Sequence, residues 1–245
     1  MPRAFLDFPG PLAFAHRGGA AHGPENSLRA FEHAAGLGYA YLETDARATA
    51  DGVLLAFHDK TLDRLTGRPG SIDRLAHRDV AAARIGGTEP IPLLEDLLGA
   101  WPDMRFNVDV KDAAAVRPLA DVVRRTAAWD RVCVSSFSAL RLRATRQALG
   151  RPVCMATSPA GIAAVRLGLR PGSAQCAQVP VSFATASFVR RAHHLGLQVH
   201  VWTVNDRPMM AALLDLGVDG LITDETVALR EVLISRGQWH PRQAA

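Results

Sequence analysis

Lysine, cysteine and long apolar runs are all scarce in this chain, and each scarcity excludes something. Only Lys60 and Lys111 interrupt an otherwise all-arginine set of 28 basic side chains. A lysine at a special place therefore carries information. Against 24 acidic residues the formal charge is +4 over 245 residues, with no basic run of the kind that tracks a phosphate backbone. Nucleic acid is not the expected partner. The three cysteines, Cys133, Cys154 and Cys176, are too few and too far apart along the chain for a disulfide framework or a CxxC metal clip. Each lies in an apolar, strand-like stretch and reads as a free buried thiol in a reducing compartment. No segment reaches the ~18 apolar residues of a membrane span. The N-terminal MPRAFLDFPGPLAF has neither a long apolar core nor a small-residue cleavage site. A cytoplasmic protein without stable membrane insertion is the expectation; the sequence leaves its oligomeric state open.

What the chain does have is 48% apolar residues, enough at this length for a buried core without metals or disulfides to hold it. Short apolar runs alternate with helix-period segments from end to end. Strands are expected at 12–16, 41–45, 106–110, 131–136, 152–156, 174–179, 198–204 and 220–223. Helices are expected around 25–37, 92–100, 113–128, 138–148, 159–167, 185–196, 206–216 and 225–234. Ser138, Thr185 and Asp206 are suitable N-caps, and Pro24-Glu25 reads as a first helical turn. Gly38, Gly150, Gly196 and Gly217 stand where left-handed C-caps belong.

Eight such units match an α/β fold of the (β/α)8 TIM-barrel type, one domain over 1–245. The stretch at about 46–91 is longer than a βα loop needs and reads as a small insertion after the second strand. A doubly wound open sheet is the competing layout, but no GxGxxG follows the first strand.

Barrel enzymes carry their chemistry at the C-terminal ends of strands. Here the first strand ends at His16-Arg17-Gly18-Gly19, the second at Glu43-Thr44-Asp45 and the third at Asp109-Val110-Lys111, while VLLAFHD ends at His58-Asp59. Residues two apart on a strand share a face. Glu43 with Asp45, and Asp109 with Lys111, therefore point together, and Leu42, Val108 and Val110 face the helices. Three carboxylates converging from neighbouring strands make a hard-oxygen site for Mg²⁺ or Ca²⁺. So many polar side chains at the ends of apolar strands would be a costly accident in a packed core. Gln178, near the end of the sixth strand, is a candidate substrate contact. His200 shares a face with Gln198 and Trp202 and is assigned to the barrel interior. The other histidines are read as solvated.

AHRGGAAHGPENSLRAF, then YLETDARATADGVLLAFHDKTLDRLTG, and later NVDVK, VHVWTVND and DGLITD resemble, in order, the segments of the glycerophosphodiester phosphodiesterases. The similarity runs from Ala15 to about Asp224. It implies a (β/α)8 barrel that hydrolyses glycerophosphodiesters to sn-glycerol 3-phosphate and an alcohol. On this resemblance the catalytic pair is His16 and His58, with Arg17 and Lys111 on the substrate and Trp202 as an aromatic wall. The metal ligands are Glu43, Asp45 and Asp109, where the family usually has glutamate at the last, with Mg²⁺ or Ca²⁺ bound and Mn²⁺ an alternative. His58 is expected to act as the acid and His16 as the base. Two other readings stay open, phospholipase D-like cleavage of lysophospholipids or sphingomyelin, and a non-catalytic glycerophosphodiester-binding barrel. The sequence has no exposed amphipathic helix rich in aromatic and basic residues, which weighs against membrane docking.

Overall fold

Eight parallel strands and eight helices alternate in the computed structural model, which describes residues 4–242. The barrel strands are β1 (Leu12–Ala15), β2 (Tyr41–Ala48), β3 (Arg105–Val110), β4 (Val132–Ser135), β5 (Cys154–Met155), β6 (Cys176–Pro180), β7 (Gln198–Trp202) and β8 (Gly220–Thr223). Their helices are α1 (Leu28–Gly36), α2 (Leu94–Ala100), α3 (Val116–Arg125), α4 (Ala139–Leu149), α5 (Pro159–Arg166), α6 (Ala186–His194), α7 (Arg207–Asp215) and α8 (Thr226–Ser235).

Hydrogen bonding runs in the order β5-β4-β3-β2-β1-β8-β7-β6. The two ends of that path meet at a single bridge, Ala156 to Cys176. Thr157 N donates to Cys176 O and Gln175 N to Met155 O, each at 2.9 Å. The barrel closes through this narrow seam.

Alternation along the strands does what the pattern predicts. Leu42, Val108 and Val110 are buried in the large apolar layer under the helices. The intervening residues fill the interior, where Phe14, Tyr41, Cys133, Cys154, Cys176 and Ile222 pack with Phe5 and Leu6. The turn Ala4–Leu6 plugs the N-terminal end of the barrel, and the Tyr41 hydroxyl donates to Phe5 O at 2.7 Å. His200 is wholly buried inside, against the Phe14 ring.

The caps at Ser138, Thr185 and Asp206 each accept a backbone N–H from three residues on. Helix α1 departs from expectation. It starts at Leu28, with the Ser27 hydroxyl accepting Ala30 N, so Pro24-Glu25-Asn26 lie outside it. Asn26 takes a left-handed φ of 56° and cannot be helical there. Within the stretch read as an insertion, β2 runs on to Ala48 and its last residues pair antiparallel with Leu54–Ala56. Beyond them, short helical turns and the ribbon Arg84–Ile85 with Glu89–Pro90 cover a small apolar cluster of their own. His33 differs too: it is half-buried with its ring against His22 rather than solvated.

Candidate active site

The turn after β1 sets the geometry. Arg17, Gly18 and Gly19 have φ values of 52°, 85° and 93°, a left-handed run that favours glycine. Space demands glycine as well, since a Cβ on Gly18 would lie 2.9 Å from Ala30 and one on Gly19 2.6 Å from Thr226 Cγ2. The turn is clamped by Arg17 N donating to Glu43 Oε2 at 3.0 Å and Asn26 N to Arg17 O at 2.8 Å. Fully buried Asn26 then donates to Asp45 Oδ2 at 2.9 Å and accepts from the Thr44 hydroxyl at 2.8 Å. The PEN segment thus ties the first strand end to the second.

Two histidines line one cavity of about 610 Å³, and each is anchored from behind. His16 Nδ1 donates to Asp224 Oδ1 and His58 Nδ1 to Asp59 Oδ1, both at 2.7 Å. A carboxylate on Nδ1 fixes the tautomer and leaves Nε2 as the working atom. Burial opposes protonation of His16, but Glu43 and Asp224 outweigh it and raise its pKa above the ordinary value. Asp224 is held low despite its burial, by His16 and by Asn205, whose amide donates at 2.8 Å.

Three buried carboxylates stand beside them. Lys111 Nζ lies 2.9 Å from Asp45 Oδ1 and 2.6 Å from Asp109 Oδ2. Arg17 Nε is 3.2 Å from Asp45 Oδ2. Burial and the neighbouring Asp45 push Glu43 up to about 7. Burial also raises Asp109, whereas Lys111 and Arg17 overcome it at Asp45 and hold that group low. Asp109 Oδ1 is buried with no partner. With Lys111 between Asp45 and Asp109, the three acids do not gather within 4.8 Å of one another. Their chemistry still fits a hard divalent cation, because all the donors are oxygens and one is unpaired.

A lattice of ion pairs reaches from this centre into the insertion. Arg17 Nη1 meets Glu25 Oε1 at 2.9 Å. Arg64, from the helical turn Asp63–Thr66, donates to both Glu25 oxygens and to both oxygens of Asp59. His58 is therefore positioned through Asp59, Arg64 and Glu25. Arg47 Nε adds a bond to His58 O at 2.7 Å.

Every residue singled out from the sequence lines this cavity: His16, Arg17, Glu43, Asp45, His58, Asp109, Lys111, Gln178 and Trp202. The Gln178 amide is engaged, exchanging hydrogen bonds with Asn107 across the barrel at 2.9 and 3.3 Å. That pair floors the cavity. Trp202 stands in an apolar wall with Phe137, Ile162 and Phe183, and its ring meets Phe137 edge-on at 5.8 Å. Sequence reasoning missed Asp224, Glu25, Asn107 and, of this wall, Phe137, Ile162 and Phe183. Only Asp59, adjacent to His58, carried a local signal.

Comparisons with known proteins point to one family. The glycerophosphoryl diester phosphodiesterase family model matches residues 16–228. A Mycobacterium tuberculosis protein named "Probable glycerophosphodiester phosphodiesterase 2" is 42% identical, over 96% of this chain and 95% of its own. Two solved structures share the fold at 20% identity and a TM-score of 0.81. One is a glycerophosphodiester phosphodiesterase from Agrobacterium tumefaciens, covering 89% of this chain and 99% of its own. The other is an Oleispira antarctica phosphodiesterase in complex with the product sn-glycerol-3-phosphate, covering 92% and 97%. The chain belongs to the glycerophosphoryl diester phosphodiesterase family.

Proposed function

We propose that the protein hydrolyses glycerophosphodiesters to sn-glycerol 3-phosphate and an alcohol, with a divalent cation and a histidine pair. The observation that carries this reading is two carboxylate-anchored imidazoles on one cavity with three buried acids. An Mg²⁺, Ca²⁺ or Mn²⁺ ion on Glu43, Asp45 and Asp109 would supply positive charge to the phosphoryl oxygens. Arg17 and Lys111 donate hydrogen bonds to the same group as its negative charge grows. One histidine takes the proton of the attacking oxygen and the other gives one to the departing alkoxide.

Each imidazole is anchored alike through Nδ1, and His58, on the insertion side of the cavity, serves as the acid with His16 as the base. The test is release of sn-glycerol 3-phosphate from glycerophosphocholine, with EDTA and with each ion restored. Activity lost to EDTA and recovered with one of the ions is the expected result. No release with any ion overturns the reading.

The apolar wall favours a second reading, phospholipase D-like cleavage of lysophospholipids. Phe137 is 61% exposed at the cavity mouth, where an acyl chain would meet Ile162, Phe183 and Trp202. A higher kcat/KM for lysophosphatidylcholine than for glycerophosphocholine selects it; the opposite order keeps the first.

A further inference from the structure

All three cysteines of the chain meet inside the barrel. Cys133, Cys154 and Cys176 come from three successive strands, β4, β5 and β6, and are wholly buried. Their sulfurs lie within 4.8 Å of one another, with Cys133 and Cys176 at 3.9 Å. His200 on β7 is also wholly buried, and its Nδ1 has no hydrogen-bond partner. Its Nε2 faces Gln198 Oε1 at 3.3 Å. None of the four belongs to the site described above. The Asn107–Gln178 pair lies between that cavity and the thiols, Gln178 being two residues beyond Cys176 on the same strand.

We infer that Cys133, Cys154 and Cys176 form a structural zinc site inside the barrel, with His200, whose ring nitrogens lie outside the 4.8 Å gathering of the three sulfurs, turning in as fourth donor. Zinc–sulfur bonds of about 2.3 Å in a tetrahedron put sulfurs about 3.8 Å apart, close to the spacing found here. That spacing is far too long for a disulfide, which needs about 2.05 Å. Three thiolates with one imidazole match the closed Cys₃His class of structural sites, in which no position is left for substrate. Binding releases the three thiol protons to solvent, so Zn²⁺ and three thiolates leave one net negative charge.

The place explains what the ion would do. Cys154 and Cys176 stand on the two sides of the seam where the barrel closes through one bridge. An ion shared between them fastens that seam from within. A buried site of this kind is filled as the chain folds, not by diffusion into the finished barrel.

The competing account is that three small apolar side chains simply pack together, since a free thiol behaves as a small hydrophobe. The full chain, refolded with Co²⁺ under reducing conditions, separates the two. A thiolate-to-cobalt charge-transfer band is expected at about one equivalent per chain, and is absent when Zn²⁺ is supplied during refolding instead. It should persist in Glu43→Gln, which touches only the carboxylate site, and vanish in Cys154→Ala. Elemental analysis of native protein purified without chelators should follow the same pattern for zinc. Refolded wild-type protein without the band overturns the inference, and this result does not depend on any variant folding. Zinc or cobalt retained in Cys154→Ala but lost in Glu43→Gln overturns it too.

Discussion

Each of the two working imidazoles leans on a carboxylate, and the division of labour between them is testable at the level of single residues. An acid matters only when the leaving group is poor, so a p-nitrophenyl diester bypasses it and still needs the base. His58→Ala should lose roughly 10²–10⁴-fold on glycerophosphocholine and recover much of that on the activated ester. His16→Ala should stay impaired on both. Equal losses on both esters would mean that the histidines chiefly bind phosphate. Lys111 has a second role beside phosphate binding. It is the shared counter-ion of buried Asp45 and Asp109, so removing it strands two carboxylates. Lys111→Met should lower turnover by about 10²–10³-fold and lower the metal-free Tm as well. Saturating Mg²⁺ should restore the Tm but not the rate; unchanged kinetics would remove Lys111 from the machinery.

At the scale of elements, the insertion is more than a covering, because its helical turn Asp63–Thr66 carries Arg64. Hydrogen bonds from Arg64, with His58, bring Asp59 from 3.8 down to about 2. A depressed carboxylate contributes stability above its unfolded value, and that contribution is lost as pH falls through the folded one. Arg64→Met should therefore melt below wild type above about pH 4, the gap closing as pH approaches 2. Arg64 is half exposed, so the gap should be modest and shrink with salt. Thermal melts across that range check it, and a gap that widens in acid would contradict it. In the same variant His58 loses part of its support, so kcat should fall more than KM rises. Strand ends were legible from sequence because apolar runs stop abruptly at His16, Glu43, Asp109 and Lys111. The supports were not. Asp224 lies 208 residues from His16, and Arg64 lies 39 from Glu25, distances that only tertiary packing bridges. The start of α1 was misread because Pro24-Glu25 imitates a first turn while Ser27 does the capping.

For the molecule as a whole, closure is uneven. Strands β2 and β3 pair from Tyr41–Arg105 to Ala46–Val110, whereas β5 and β6 share one bridge. Local opening follows the weakest hydrogen bonding. In metal-free protein the amides of Thr157 and Gln175 should exchange with deuterium well before those of β2 and β3. Uniform protection around the ring would show that the helices, not the seam, set its stability. The hydrogen-bonded amides of Asn107 and Gln178 have one more consequence. They cut off the thiols beneath from whatever enters the cavity, so a cysteine reagent in solution reacts only when the barrel itself opens. In metal-free protein the rate of thiol labelling would then count openings, giving the molecule its own internal clock of unfolding.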